Sequence, residues 1–250
     1  MSAGVLQVVC SAAFVALAAI LAWRLRLGLE RELVVAAVRA TVQLAVVGAL
    51  IALVFEIDVL AIAFVAVMVA TASLTAGGRL AGVPDATARA AAAIGVPAVA
   101  AAGILIAAGA FEPTPRAAIP TAGILIGGAM AACTLTGRRL LEGLDSDHDA
   151  IEARLSLGDR IRDALAPTVR QAIKTGLVPA IDQTRNVGIV TLPGTFVGLV
   201  LGGASPAEAA RIQLTVLLTL LAVELVSAIA ISELILRTRI APGERLSGTP

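Results

Sequence analysis

Long apolar runs separated by short polar stretches fill most of the chain. A transmembrane helix needs about 20 apolar residues to cross the hydrocarbon core of a bilayer. Seven runs approach that length, and their approximate limits are residues 5–23, 33–55, 59–76, 92–111, 119–135, 187–201 and 209–236. The pattern therefore predicts an all-α polytopic membrane protein with about seven transmembrane helices, organised as a single membrane domain over residues 1–250.

The composition agrees with a chain whose main solvent is lipid. Mean hydropathy is +0.95 and 58% of the residues are hydrophobic, which excludes an ordinary water-soluble domain. The 19 Lys and Arg residues nearly balance the 18 Asp and Glu residues, so the chain has no basic field that would attract nucleic acid. The bilayer is the expected partner, and nucleic acid is not.

The positions of the charges predict an orientation, because cytoplasmic loops retain Lys and Arg. If the N-terminus lies outside, only Arg116 and Arg211 among the loop arginines fall on the outer side. Acidic residues mark the outer loops, and they are Glu56, Asp58, Glu112 and Glu208. We therefore expect a multi-pass plasma-membrane protein with its N-terminus outside and its C-terminus in the cytoplasm.

One polar stretch, residues 138–185, is long enough for two helices and contains Lys174, the only lysine. Apolar residues stand four apart within it in two pairs, Ile151 with Leu155 and Ile161 with Leu165. This pattern predicts a cytoplasmic loop with an amphipathic helix that lies against the membrane or against a partner.

The chain lacks the sequence features of an enzyme or an ATPase. It has no phosphate-binding loop of the form GxxxxGK followed by Ser or Thr, since Ile173 precedes the single lysine. No nucleophile and base are placed together, which disfavours an intramembrane enzyme. His148 lies in DSDHD (residues 145–149), where a solvated loop start is favoured over a metal site, so no metal ligand is assigned. We expect no cofactor in this chain.

Two features inside the apolar runs are candidates for a solute path. Glu224 lies near the middle of the last run on the same face as Gln213, and a buried carboxyl there is either functional or a structural link between helices. Pro193 and Gly194 predict that the sixth run is interrupted, which would expose helix ends to a cavity. The alternative is close helix packing through Gly194, Gly198 and Gly202.

Four segments together carry a family resemblance. They are VRATVQLAVVG (38–48), IPTAGILIGGAM (119–130), EARLSLG (152–158) and VPAIDQTRNVGIVTLPGTFVGLVLGGASPAEAARIQ (178–213). In this order they resemble the FetB-type ABC-transporter permeases, a family that includes bacterial iron exporters and plant aluminium-tolerance permeases. The chain departs from that pattern at Gly128, where the family usually has Asn, and at Thr195-Phe196, where a pair of methionines is common. Glu224 is not part of the pattern.

The resemblance implies the permease subunit of an ATP-driven transporter, which exports a metal ion such as iron or another small polar solute. It implies a homodimer bound to a separate ABC ATPase that carries ATP-Mg. The segment from Glu152 to Gly158 resembles the loop by which ABC permeases dock onto that ATPase, and the expected coupling residues are Glu152, Ala153, Leu155, Leu157 and Gly158. The expected path residues are Gln43, Asp182, Pro193, Gly194, Gln213 and Glu224. The alternative function is a proton-coupled secondary transporter that uses Glu224 and needs no ATPase.

Overall fold

The computed structural model describes residues 3–241 and 245–246. Within them lie nine α-helices: α1 (Ala3–Arg24), α2 (Glu30–Glu56), α3 (Asp58–Gly77), α4 (Ala86–Ala107), α5 (Pro115–Ser146), α6 (His148–Ser156), α7 (Ile161–Asn186), α8 (Gly194–Leu201) and α9 (Pro206–Arg239). Two-residue strands β1 (Ile240–Ala241) and β2 (Arg245–Leu246) pair antiparallel after α9. Six of the described helices, α1 to α5 and α9, are long and apolar enough to cross a membrane. The prediction of an all-α polytopic membrane protein is confirmed.

The contacts divide the chain into two compact units, Met1–Ile57 and Asp58–Pro250, and the single membrane domain expected from the sequence stays a prediction. In the first unit α1 packs against α2, and most side chains on both helices are exposed. The second unit contains α3 to α9 and most of the buried residues. The sides of the membrane predicted for the two termini stay predictions.

Helix α5 is the centre of the second unit and packs against α3, α4, α7 and α9. Small residues on its surface let these neighbours approach closely. A Cβ added at Gly123 would meet Met68 of α3, one at Gly128 would meet Leu220 of α9, and one at Gly137 would meet Leu80. Close backbone approach through small residues is a common way in which helices associate in lipid.

The contacts also give the direction of each helix. Helix α9 runs parallel to α5, since Gly128 lies against Glu224 and Gly137 against Ile235. Helix α7 runs antiparallel to α5, since Gly143 lies against Thr168 and Gly176 against Thr136. Two consecutive parallel helices need a return passage between them. That passage is made by α7 and α8 together, joined by residues 187–193.

The sixth predicted transmembrane helix, residues 187–201, is therefore only the end of this return passage. Residues 187–193 are not helical, and α8 has eight residues. Pro193, which has no backbone N–H to donate, precedes the first residue of α8, so the predicted interruption is confirmed. The remainder of the passage is α7, whose sequence is too polar to be recognised as an apolar run.

The polar stretch 138–185 contains two further helices as predicted, but it is not a separate loop. It comprises the last turns of α5, the short α6 and nearly all of α7. Helix α7 stays in the bundle because Ala164, Leu165, Ala172 and Leu177 are buried, mostly within the main apolar core. The side of the membrane on which this stretch begins stays a prediction.

Replacement of Gly176 by Ala should destabilise the second unit. The added Cβ would overlap the Thr136 hydroxyl and lie 3.0 Å from the backbone nitrogen of Thr136, so α5 and α7 must separate. We expect a loss of about 1–3 kcal/mol in the free energy of unfolding, as in other overpacked cores. Thermal unfolding of the purified protein in detergent would measure it. Gly103→Ala is the matched control, since a Cβ there meets nothing within 4 Å; equal unfolding midpoints for both variants would contradict the close contact.

The predicted orientation can be tested by labelling single cysteines. Cys10 and Cys133 are first replaced, so that the introduced cysteine is the only thiol in each variant. Cysteines at Ala110 and Gly203 should then react with an impermeant thiol reagent added to intact cells, and one at Ser146 should react only after the cells are opened. Labelling of Ser146 in intact cells would reverse the orientation.

Candidate functional site

The first candidate site is an elbow formed by α6, the turn at residues 157–160 and the start of α7. Gly158 has a φ of +95°, which L side chains rarely adopt, so glycine is required by the backbone conformation. Nε of Arg154 donates to Oδ2 of Asp159 over 2.7 Å, and the backbone N–H of Asp159 donates to the carbonyl of Arg154 over 3.1 Å. These two bonds hold the turn against the end of α6.

The coupling residues predicted from the sequence differ in their surroundings. Leu157, at the tip of the elbow, is 87% exposed, and Glu152 and Ala153 are also exposed. Leu155 packs instead against the core of its own chain, so it is not free to serve as an anchor for a partner. The carboxylate of Glu152 lies at the surface, with Oε1 at 3.7 Å from Nε2 of His148.

The elbow is tied to the helices behind it by polar contacts that the sequence analysis did not predict. The guanidinium of Arg162 donates to both carboxylate oxygens of Glu233 on α9, over 2.7 and 3.1 Å. The Thr168 hydroxyl donates to Oδ2 of Asp147 over 2.7 Å. The sequence signal was slight: Glu233 and Arg237 stand four apart on α9, and nothing local indicates that Glu233 pairs with α7.

The second candidate site is a cavity of about 390 Å³ at the break between α7 and α8. The loop folds back on itself here, with the N–H of Gly188 donating to the carbonyl of Thr191 over 2.8 Å. Pro193 and Gln213 both line the cavity, and Gly194 begins α8 beside it. The Oε1 atom of Gln213 is buried and has no hydrogen-bond partner. The structure thus brings together two of the predicted path residues, and the rest of the lining is mainly apolar.

The outward face of α7 carries charged and polar residues, together with exposed Val178 and Ile181, where it passes the apolar half of α5. Gly176 of α7 packs against Thr136 of α5. Because the two helices are antiparallel, the residues that follow Gly176 lie beside the part of α5 that precedes Thr136. In that stretch Asp182, Gln183 and Arg185 are exposed on the surface of the chain. The predicted path residue Asp182 therefore belongs to this outward face and not to the lining of the cavity.

Glu224 is buried between α9 and α5. Its side chain is 7% exposed, and its carboxyl lies directly opposite Gly128. The two positions at which the chain departs from the family pattern, Gly128 and Glu224, are thus neighbours in the fold. Leu217 and Leu220 separate Glu224 from Gln213 along α9. The remaining predicted path residue, Gln43, is exposed on α2 in the first unit.

Known proteins resemble this chain over most of its length. Residues 5–240 match a family described as an uncharacterised protein family, UPF0014. The UPF0014 membrane protein STAR2 of Oryza sativa subsp. japonica is 37% identical over 90% of this chain and 80% of its own length. Protein ALUMINUM SENSITIVE 3 of Arabidopsis thaliana is 32% identical over 90% of this chain and 84% of its own length.

A bacterial relative carries a functional name. The probable iron export permease protein FetB of Escherichia coli is 31% identical over 86% of this chain and 84% of its own length. No solved structure matches the chain. The family match spans both units and every described helix, so this protein belongs to the UPF0014 family of membrane proteins, which includes proteins named as permeases.

Proposed function

We propose that this chain is the membrane-spanning permease subunit of an ATP-driven transporter in the plasma membrane, and that it exports a metal ion such as iron or another small polar solute. The observation that carries the proposal is the return passage α7–α8. Its outward face exposes Asp182 and Arg185 as well as apolar residues, and it is broken at residues 187–193, whereas the helices around it are apolar. The name of the Escherichia coli relative supports the choice of an exported metal ion.

A polar, broken passage is costly in a bilayer unless it borders a solute path. Charged side chains within the hydrocarbon region are rare and almost always face a partner or a water-filled cavity. Irregular backbone at membrane depth is likewise tolerated only inside protein or beside such a cavity. Within a single copy, Asp182 and Arg185 face neither a partner nor an enclosed cavity, since both side chains are exposed. The proposal places them at the border of the path.

A second copy of the chain supplies the other side of that path. Asp182 and Arg185 carry opposite charges and stand one helical turn apart on α7. In a two-fold symmetric dimer the same surface meets itself, so the carboxylate of one copy comes within reach of the guanidinium of the other. A homodimer therefore neutralises both charges and encloses the polar face.

The energy is supplied by a separate ABC ATPase that docks on the elbow. This chain has no loop for ATP phosphates, so hydrolysis and ATP-Mg belong to the partner chain. Leu157 offers an exposed apolar anchor, and the charged residues around it offer orientation.

Glu224 favours a second candidate function, proton-driven transport, because a buried intramembrane carboxyl is the group that such a transporter uses. Dependence of transport on ATP separates the two.

Replacement of Leu157 by Asp should prevent ATPase docking, because it puts a charge where the anchor must be buried. The chain is purified with a tag from its native membranes, and ATP hydrolysis by the purified fraction is measured together with ATP-driven iron uptake into inside-out vesicles. Both should fall about tenfold or more, in line with the loss of a central interface anchor. Ser156→Asp is the control, since it adds the same charge to an exposed neighbour and keeps the leucine. Full ATP-driven transport by the Leu157 variant would refute docking at the elbow.

The proposed dimer predicts which helix faces its copy. A cysteine at Asp182, in a variant without Cys10 and Cys133, should form an oxidised dimer because the two α7 helices meet at equal depth. A cysteine at Val67, which is exposed on the apolar helix α3, should stay monomeric. Non-reducing gel electrophoresis after mild oxidation of membranes measures both. Dimers from Val67 and none from Asp182 would place the interface elsewhere.

A further inference from the structure

The turn that joins α1 to α2 carries an arginine at a position where the backbone favours glycine. The N–H of Arg26 donates to the carbonyl of Trp23 over 3.0 Å, and the N–H of Leu27 donates to the carbonyl of Ala22 over 2.9 Å. These two bonds form the Schellman pattern of a helix end, in which a left-handed residue, usually glycine, follows the last turn. Arg26 occupies that position with a φ of +53°. Because such a conformation is unfavourable for a residue with a side chain, it points to a use for the guanidinium.

Arg26 lines a cavity of about 640 Å³ at this end of the α1–α2 pair, together with Trp23, Arg24, Gly28 and Glu30. The cavity thus brings two cations and one carboxylate together. Oε2 of Glu30 is buried and has no hydrogen-bond partner, and neither arginine side chain forms an ion pair or a hydrogen bond with any residue that the structure describes. Unpaired charges of both signs in one cavity suit a ligand that carries a negative and a positive group.

The cavity lies where both helices reach the surface of the membrane. Helices α1 and α2 are each long and apolar enough to span a bilayer, and only residues 25–29 connect them. This turn therefore lies at the level of the lipid headgroups. Trp23 is 68% exposed, and tryptophan is enriched at that level in membrane proteins.

An apolar groove lies on the same face of the α1–α2 pair, farther from the turn. It has a volume of about 620 Å³ and is lined mainly by valines and alanines of both helices. Ala16 lines the groove on α1, and Trp23 follows it by seven residues, which is two helical turns. Val34 lines it on α2, and Glu30 precedes it by one turn. A headgroup held in the cavity would therefore have a groove for an acyl chain beneath it.

The charges define the headgroup. Guanidinium groups bind phosphate well, and an unpartnered carboxylate favours a cation that can donate a hydrogen bond. Phosphatidylethanolamine carries both groups, whereas phosphatidylglycerol has no cation and the ammonium of phosphatidylcholine has no N–H. We propose that the cavity at the α1–α2 turn binds phosphatidylethanolamine, with the lipid phosphate at Arg24 and Arg26, the ammonium at Glu30 and an acyl chain in the groove. This lipid site does not depend on the proposed function.

The protein contains its own reporter for this cavity. Trp23 is the only tryptophan and the chain has no tyrosine, so the intrinsic fluorescence comes from the cavity itself. The full-length chain in a maltoside detergent is titrated with phosphatidylethanolamine, phosphatidylcholine or phosphatidylglycerol whose brominated acyl chains quench a tryptophan on contact. Half-maximal quenching should need an about threefold lower concentration of phosphatidylethanolamine than of the other two, as expected for one ion pair at a partly exposed site.

Two variants with matched controls separate the two charges of the headgroup. Glu30→Gln should remove the preference for phosphatidylethanolamine, whereas Glu32→Gln, on the same first turn of α2 but outside the cavity, should keep it. Arg26→Gly should weaken quenching by all three lipids, and Arg31→Gln, also outside the cavity, should not. Without lipid the unfolding midpoint of Arg26→Gly should equal or exceed that of wild type, because glycine suits the φ of +53°.

Three results would overturn the proposal. The first is a wild-type protein without a preference for phosphatidylethanolamine, and the second is a wild-type preference in Glu30→Gln. The third concerns glycerophosphoethanolamine, which has the headgroup without acyl chains and should not relieve the quenching at the concentration of the lipid. Relief would show that the cavity takes a free phosphoester and not a lipid. Neither ATP nor an ATPase is present, so failure here leaves the proposed transport function untouched.

Discussion

The close approach of helices to the small-residue surface of α5 is the constraint on which the second unit depends. Without Cβ atoms at Gly123, Gly128 and Gly137, the side chains of Met68, Leu220 and Leu80 reach the α5 backbone. Lipid tails are as apolar as leucine, so dispersion contacts at short distance take the place of the hydrophobic effect between helices. Because α3, α4, α7 and α9 all pack on this one helix, its small residues fix the positions of every candidate site in the unit.

That constraint also explains how a polar helix can lie in an apolar bundle. One face of α7 contacts α5 and α9 through Ala172, Gly176 and Leu177, and the exposed remainder is mixed, since Val178 and Ile181 are exposed together with the polar residues. The opposite face bears the charges. The packing therefore leaves the polar groups to be satisfied outside the single chain, by water or by a second copy. A helix with two such faces is neither a lipid-exposed span nor a solvated loop.

The sequence predicted the elements whose signals are local. Apolar runs of membrane length predicted α1 to α5 and α9, and Pro193 indicated the break between α7 and α8. It did not predict the length of α7, because a helix buried on one face and polar on the other lacks an apolar run. It also missed Glu233, whose partner Arg162 is 71 residues away. Leu155, which was expected to contact a partner, is partly buried against the core of its own chain. A contact between residues far apart along the chain leaves no periodic pattern in the sequence.

Helix α7 joins the elbow to the break, and its packing determines how movement at one affects the other. It has 26 residues, or about 39 Å, and its closest contact with α5 is at Gly176, about 22 Å from its first residue and about 15 Å from its last. A rocking motion about that contact moves the two ends in opposite directions, by amounts in a ratio of roughly three to two. The bidentate pair between Arg162 and Glu233 holds the longer arm to α9. Ala164 and Leu165 on the same arm are buried in the main core, so a movement of the elbow relative to α9 has to disturb core packing as well as this exposed ion pair.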